Sequence, residues 1–578
     1  MTPEAFADHF HTLADVPNGI QKLRELILQL AVQGKLVPQN PKDEPASVLL
    51  EKIKAKKEKL IREGKIRKSR YPVGEPVDAY PHKIPNAWQW VRMGDIGSIV
   101  GGGTPKTGKG DYWTDSKEIP WLTPADMVGQ SSRYIKRGRR DITQKGLDGS
   151  SAQLMPVGTV LFSSRAPIGY VGIAMNPLST NQGFKSCISY LKAMAEYIFI
   201  FLSKAAPDIN AQATGTTFKE VSGKEVALIP FPLPPLTEQK RIVAKVDQLM
   251  VLCDDLEARQ QKRNESRITL NGSCLNALTA PDGDTVKHAW NRIRENFDLL
   301  YDCPENVNAL RQSILQLAVQ GKLVPQNPKD EPASVLLEKV KTEKEKLVKE
   351  GKIKKQKPLP PIDLDEVPYE LPMGWEWVAL GDICHFKGGC AFKSNSYVPS
   401  SGNQVIRLGN VKNNDLLIHQ KPVFIPDELA GYSQDFLIGE GDLLITMTGT
   451  KAKRDYLFTV LVKKEHLNGP KLFLNQRVGL LRFSSLAVGQ TANVFLKSET
   501  MLDRIFTRAT GTANQGNIGS TALLNELYPL PPLSEQKRIV TKVDRLMALC
   551  DDLQAKLTQS QDDAGRLMGA VVNELVAA

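Results

Sequence analysis

The sequence predicts a mixed α/β protein: two globular α/β domains separated by long helices packed as an antiparallel coiled coil, with pseudo-twofold symmetry. Three observations predict it. The stretch ILQLAVQGKLVPQNPKDEPASVLLEK occurs twice unchanged, over 26 residues, at positions 27–52 and 314–339. A second pair, PLPPLTEQKRIVAKVDQLMVLCDDLEA (232–258) and PLPPLSEQKRIVTKVDRLMALCDDLQA (529–555), agrees at 22 of 27 positions. Between a copy of the first and a copy of the second lies, each time, a dissimilar block of short apolar runs. VGTVLFSSR, GYVGIAM, DLLITMTGT, LFTVLV and RVGLLRF are punctuated by Gly, Pro, Asn and Asp, the pattern of strands in a compact α/β domain.

Taken in chain order, residues 1–84 form a helical region. In QKLRELILQLAVQGKL the residues Leu23, Leu26, Ile27, Leu30 and Ala31 share one helical face. Gly34 then supplies a C-cap and Pro38 forbids continuation. A second helix starts near Pro45 and Ala46 and runs to Gly64. Pro-rich linkers, RKSRYPVGEPVDAYPHKIP and KKQKPLPPIDLDEVPYELP, lead into the blocks 85–235 and 372–532. Both blocks open on a shared signature, WQWVRMGDI at Trp88 and WEWVALGDI at Trp375. After each block, Thr237 or Ser534 precedes Glu-Gln as a helix N-cap. Ile242, Val246, Leu249, Cys253 and Leu256 follow at helical spacing; the pattern weakens across RQQKRNESR and resumes at Leu270, Leu275 and Leu278. A continuous helix there, about 43 residues, gives a rod of roughly 65 Å. Residues 236–371 are thus a central helical spacer and 533–578 a C-terminal helix. Joined head to tail, the last and first segments would recreate the central junction, which is the signature of a closed pseudo-twofold object.

Lys and Arg outnumber Asp and Glu, 75 to 64, for a formal net charge of +11, a balance that favours a polyanionic partner. No apolar run approaches the roughly 18 residues of a membrane span. The opening MTPEAFADHFHTLADV lacks the apolar segment of a signal peptide, so the expected location is the cytoplasm, with no membrane role. The seven cysteines are scattered and form no C-x-x-C pair; CHFKGGC (Cys384, His385, Cys390) has the wrong spacing for a zinc knuckle. GGGTPKTGKGDYW has the skeleton of a phosphate-cradling loop, but Gly110 stands where the Mg²⁺-binding hydroxyl belongs and no helix pattern follows. No aminomethyltransferase tetrapeptide, zinc-protease motif or nucleophile elbow is present, so no residue is assigned a catalytic role and none a metal.

The blocks instead carry residues suited to DNA. Arg and Lys match guanine edges, Asn and Gln match adenine edges, and most such residues meet phosphates. In the first block the candidates are Thr104, Lys106, Arg133, Arg137, Arg139, Arg165, Asn181, Gln182, Lys185, Thr216 and Lys219. In the second they are Lys393, Asn410, Lys412, Lys451, Arg454, Gln476, Arg477, Asn514 and Gln515. Because the blocks are unlike, the two DNA half-sites are expected to differ. Half-sites read from one face lie about 34 Å apart, one helical turn.

The doubled W-x-W-V-x-x-G-D-I entrances, the P-L-P-P-L-[TS]-E-Q-x-R-I-V exits, the ATGT loops at Ala213 and Ala509, and the LAVQGKLVPQ helices resemble the specificity subunit of Type I restriction–modification systems. The resemblance spans nearly the whole chain. It implies that the blocks are target-recognition domains, each reading one half of a split sequence in double-stranded DNA. It also implies that the repeated helices set the half-site distance and dock two adenine-methyltransferase subunits and up to two restriction motor subunits. Candidate docking residues are Leu30, Lys35, Glu238 and Arg241, with their counterparts Leu317, Lys322, Glu535 and Arg538. S-adenosylmethionine, ATP and Mg²⁺ would then belong to the partners and no cofactor to this chain. The rival readings are a self-sufficient DNA-modifying enzyme and a tandem protein-interaction scaffold.

Overall fold

The first repeat folds as its periodicity dictates. Helix α1 (Gly19–Gln33) buries Leu23, Leu26, Ile27, Leu30 and Ala31 along one stripe, and Gly34 ends it in the left-handed conformation at φ 73°. Helix α2 (Ala46–Arg62) starts at Pro45. The computed structural model describes residues 10, 14–66, 81–130, 132–165, 167–213, 219–280, 282–351, 353, 355, 358–362, 367–512 and 514–577. It divides into two units: residues 1–263 with 560–578, and residues 264–559.

In the first unit, strand β1 (Gln89–Arg92) carries the tryptophan entrance. It pairs antiparallel with β7 (Pro230–Leu233), the exit, with Trp90 opposite Pro232. The shared sequences at the two ends of the block are therefore one two-stranded clasp. Within it lie β2 (Gly97–Gly101), β3 (Tyr134–Ile135), β4 (Val160–Ser164), β5 (Ile168–Ala174) and β6 (Lys185–Ser189), hydrogen-bonded in the order β2-β6-β4-β5-β3. Neighbours are antiparallel except β3 and β5. Strand β4 is covered on both faces: Val160 and Phe162 join the main core and Leu161 a second cluster with Leu122, Met127 and Phe184, as the two-residue pleat requires. Helix α3 (Ala195–Gln212) packs Tyr197, Ile198, Phe201 and Leu202 into the main core. The same core takes Ile242, Val246, Leu249 and Cys253 from α4 (Leu236–Ala277), and α1 closes it.

The second unit repeats the plan. Helices α5 (Pro304–Val319) and α6 (Ala333–Lys349) precede β8 (Glu376–Ala379). A sheet follows, ordered β9 (Cys384–Gly388), β12 (Val478–Phe483), β10 (Leu443–Thr446), β11 (Thr459–Leu461), all antiparallel. Two helices, α7 (Leu486–Phe495) and α8 (Glu499–Thr507), stand where the first unit has α3. Strand β13 (Leu527–Leu530) clasps β8, with Trp377 opposite Pro529, and leads into α9 (Leu533–Ala577).

The long helices are continuous over 42 and 45 residues, so the polar stretch RQQKRNESR stays helical. Each contributes to both cores. The last turns of α4 place Cys274 and Leu275 in the second unit's core, beside Ile539, Val543 and Cys550 from the start of α9. The last turns of α9 place Met568 in the first unit's core, with Val571 and Val572 packed against it. The protein is thus a mixed α/β fold of two sheet-containing domains flanked by long helices.

Candidate nucleic-acid interface

Four loops converge at one end of the first unit's sheet. The glycine run after β2 approaches the turn before β6: Gly103 N–H donates to the Thr180 carbonyl at 2.9 Å, and a Cβ on Gly102 would collide with the carbonyls of Thr180 and Asn181. The Asn181 side chain accepts from Gly183 N–H at 2.9 Å and shapes that turn. Ser164, ending β4, donates its N–H to the Gly183 carbonyl at 2.8 Å, and Val221 N–H returns to the Ser164 carbonyl at 3.0 Å. The result gathers Thr104, Arg165, Gln182, Lys185 and Lys219. Thr104 Oγ1 donates to Gln182 Oε1 at 2.5 Å, and the Gln182 residue is exposed. Glu220 faces Lys185 at 3.4 Å and Arg165 at 3.6 Å. Lys106 and Lys219 are exposed.

The second unit assembles the same four loops from different residues. A Cβ on Gly389 would collide with the Asn475 carbonyl, as at Gly102. Gln476 N–H donates to the Cys390 carbonyl at 2.9 Å, and Met447 N–H, just past β10, to the Arg477 carbonyl at 3.1 Å. Thr448 and Gly449 pair with Asn517 and Gly516, which brings in the ATGTANQGN loop. Gly511 in that loop holds φ 112°, where a Cβ would strike the Gln515 carbonyl. Lys393, Lys451, Gln476, Arg477, Asn514 and Gln515 are all exposed. The Asn-Gln turn preceding β6 (Asn181, Gln182) and that preceding β12 (Asn475, Gln476) are structural equivalents. The sequence lists both dipeptides, but two residues are too short a match to align blocks that otherwise differ.

Other candidates stand apart from these clusters. Arg133 is held inward: it donates to Glu196 at 2.9 Å, pairs with Asp247 of α4, and its guanidinium lies 5.4 Å from the Phe199 ring centroid. Arg137 pairs with the buried Asp141, whereas the Arg139 side chain is 80% exposed. Asn410 is buried, accepting from Arg407 N–H and donating to the carbonyls of Leu417 and Gln420 at 2.9 and 3.0 Å, so no edge remains for a base. Arg454 pairs with Asp503 at 2.5 Å over the Phe506 ring, and Lys412 is exposed above Phe458. Thr216 lies outside the described residues.

Several of the residues expected to dock partners also tie the two repeats together. Glu238, 1% exposed, accepts from Trp88 Nε1 at 3.0 Å and from Gln39 at 2.6 Å; Glu535 accepts from Trp375 Nε1 at 3.0 Å and from Gln326 at 2.8 Å. Burial pushes both carboxyls above their ordinary value, and the Trp and Gln donors oppose that shift. Arg241 and Arg538 meet Asp43 and Asp330, each at 2.6 Å. Leu30 is buried, Leu317 and Lys35 are partly buried, and the exposed Lys322 donates to the Thr279 carbonyl at 2.5 Å.

The residues after Gly108-Lys109 form a single 3-10 turn (Gly110–Tyr112) and a short strand, so no helix N-terminus faces that loop. Cys384 is buried and donates its thiol to the Leu380 carbonyl at 3.2 Å. Among the described residues, no group of three or more His, Cys, Asp or Glu is placed to hold a metal, and no helix is long and apolar enough to cross a membrane.

The family model described as the Type I restriction modification DNA specificity domain matches this chain twice, over residues 85–265 and 372–560. The chain belongs to that family. Each match runs from the tryptophan clasp through the reader domain into the following long helix. The EcoAI specificity subunit of Escherichia coli is 34% identical, with 94% of this chain and 92% of that protein covered. The EcoEI specificity subunit of the same organism is 33% identical over 96% and 93%. The crystal structure of the HsdS subunit from Thermoanaerobacter tengcongensis superposes with a TM-score of 0.41 at 17% identity, covering 86% of this chain and 98% of that one.

Proposed function

We propose that this family member is the non-catalytic DNA-specificity subunit of a Type I restriction–modification complex. It reads a bipartite, asymmetric target through domains at 85–235 and 372–532, one half-site each. The observation that carries this reading is the loop cluster built twice on one plan from unlike side chains. Thr104, Arg165, Gln182, Lys185 and Lys219 furnish one cluster, and Lys393, Lys451, Gln476, Arg477, Asn514 and Gln515 the other. A shared frame with different donors and acceptors suits two different base sequences. The exposed basic residues Lys106, Arg139 and Lys412 suit the phosphates that set register. Two adenine-methyltransferase subunits, and up to two restriction motors, associate with the helical regions; S-adenosylmethionine, ATP and Mg²⁺ act in those partners. The assembly works in the cytoplasm.

Mapping methylated adenines in cells with and without this gene tests the reading. A split motif should vanish with the gene, and exchanging residues 85–235 for another reader should alter one half only. Methyl transfer by the purified chain alone, or alteration of both halves by the exchange, sinks it.

A further inference from the structure

The basic run Lys136, Arg137, Arg139, Arg140 leads into a second, smaller sheet of the first unit, and each of its arginines meets a different setting. Gly138 lets the chain pass close by, since a Cβ there would collide with the Trp121 carbonyl. Arg137 pairs with the buried Asp141. Arg139 donates its backbone N–H to Asp126 Oδ1 at 3.1 Å, and its side chain lies 3.7 Å from the same oxygen. Arg140 then opens the strand Arg140–Ile142, which pairs antiparallel with Ile119–Leu122 on one side and Trp113–Thr114 on the other.

Arg140 is exposed, and its guanidinium carbon sits 3.9 Å from the centroid of the Trp113 ring, in van der Waals contact. Among the described residues, Arg133, Arg454 and Arg504 also lie against aromatic rings. Each of those three is neutralised: Arg133 by Glu196 and Asp247, Arg454 by Asp503, Arg504 by Glu526. Arg140 has neither a carboxylate nor a side-chain hydrogen-bond partner among the described residues. The ring engages the face of the guanidinium and leaves the N–H fork at its edge unspent.

Trp113 is itself tied to the loop cluster. Its Nε1 donates to the Lys106 carbonyl at 3.4 Å, and its ring meets Trp121 edge to face with centroids 5.0 Å apart. Trp121, buried and opposite Arg140 in the strand register, donates its indole N–H to the Gly103 carbonyl at 2.9 Å. Gly103 in turn holds the Thr180 carbonyl, just before the Asn181–Gln182 turn. Arg140 is therefore built onto the frame that carries Thr104, Lys106 and Gln182. Holding one guanidinium in advance serves base reading more than phosphate binding. A phosphate is met well enough by a mobile ammonium such as the exposed Lys106 or Lys136. A base edge presents its acceptors in one plane at a fixed spacing, and a planar fork already oriented loses little entropy in meeting them; guanine, with O6 and N7, is the base so matched.

We propose that Arg140 reads a guanine in the half-site of the first domain, and that Trp113 is the positioning residue that holds its plane. The proposal deepens the specificity reading above and rests on it.

The test uses the full chain assembled with its modification subunits, the methyl donor and duplexes carrying single base-pair changes through both half-sites. Methylation rates in competition give the discrimination at each position. The unaltered complex should reject replacement of one guanine in the first half. Arg140→Lys keeps the charge and loses the fork. It should lower discrimination about tenfold at that guanine, leaving the other positions and the salt dependence of binding as they were. Trp113→Leu should relax the same position, and Trp113→Phe, which keeps a ring beside the guanidinium, should restore most of the loss. An intact guanine preference in Arg140→Lys overturns the proposal. So does the phosphate outcome, in which Arg140→Gln weakens all duplexes alike and takes about one from the slope of log affinity against log salt. Relaxation of the second half by these variants, or a first half made of A·T pairs only, overturns it as well. If the unaltered complex methylates with no split motif, it is the specificity reading that falls.

Discussion

Trp88 and Glu238, 150 positions apart, meet at 3.0 Å in the core, and Trp375 with Glu535 repeats the bond at the same length. The repeats invited a docking role for Glu238 and Arg241; tertiary structure gave their polar atoms internal partners that local sequence does not reveal. The same holds for Arg133 and Asn410, whose residue types suit DNA but whose partners, Asp247 on one hand and the Gln420 carbonyl on the other, lie on separate elements. Glu238→Leu strips both acceptors and leaves the Trp88 indole N–H buried without one. It should cost roughly 1–3 kcal/mol, read as a lower denaturant midpoint. The ionisation sign is the reverse of the usual carboxylate. With the folded value raised, the native state holds the proton longer than the unfolded chain. Stability from these groups is fully present below the ordinary carboxylate range and falls as pH rises through the elevated value. The double variant Glu238→Gln, Glu535→Gln should flatten that part of the stability–pH curve; an unchanged slope would remove the two carboxyls as its source.

At the scale of elements, helices were the most legible. The apolar stripe predicted α1, the Gly34 cap ended it, and the exit repeats predicted long rods, because these patterns are local and periodic. All five apolar runs picked out in the blocks became strands β4, β5, β10, β11 and β12. Their order did not follow, since β2 pairs with β6 and β9 with β12 across long stretches of chain and no local pattern encodes that choice. Nor did the shared loop frame, which rests on a glycine packed against an Asn carbonyl. Gly102→Ala should push Asn181 aside and weaken binding to the first half-site about tenfold, the equivalent of 1.4 kcal/mol. Gly389→Ala should do so at the second. Gly108→Ala is the control, since nothing lies within 4 Å of its added methyl. Competition binding with duplexes altered in one half-site checks all three, and equal behaviour of Gly102→Ala and Gly108→Ala would show that the close approach does not shape the reader.

For the whole molecule, the cores show that the C-terminal stretch of the chain belongs with the N-terminal unit. Residues 560–577 belong to the first unit although 296 residues of the second precede them. Met568 is fully buried there, and Lys22 Nζ reaches the Gly565 carbonyl at 3.4 Å. Leu275 and Cys274 play the matching part in the second unit. The first core draws on two separate stretches of chain, whereas the second lies within residues 264–559; each long helix gives residues to both cores. Met568→Ala should therefore destabilise a unit more than 300 positions away in sequence, by about 2–5 kcal/mol for a buried methionine that leaves a cavity. Hydrogen exchange locates the effect. Amides of α1 should exchange faster while those of α5 keep their protection, and Leu275→Ala should invert the pattern. Faster exchange confined to the last turns of α9 would mean that they lie on the first core without supporting it.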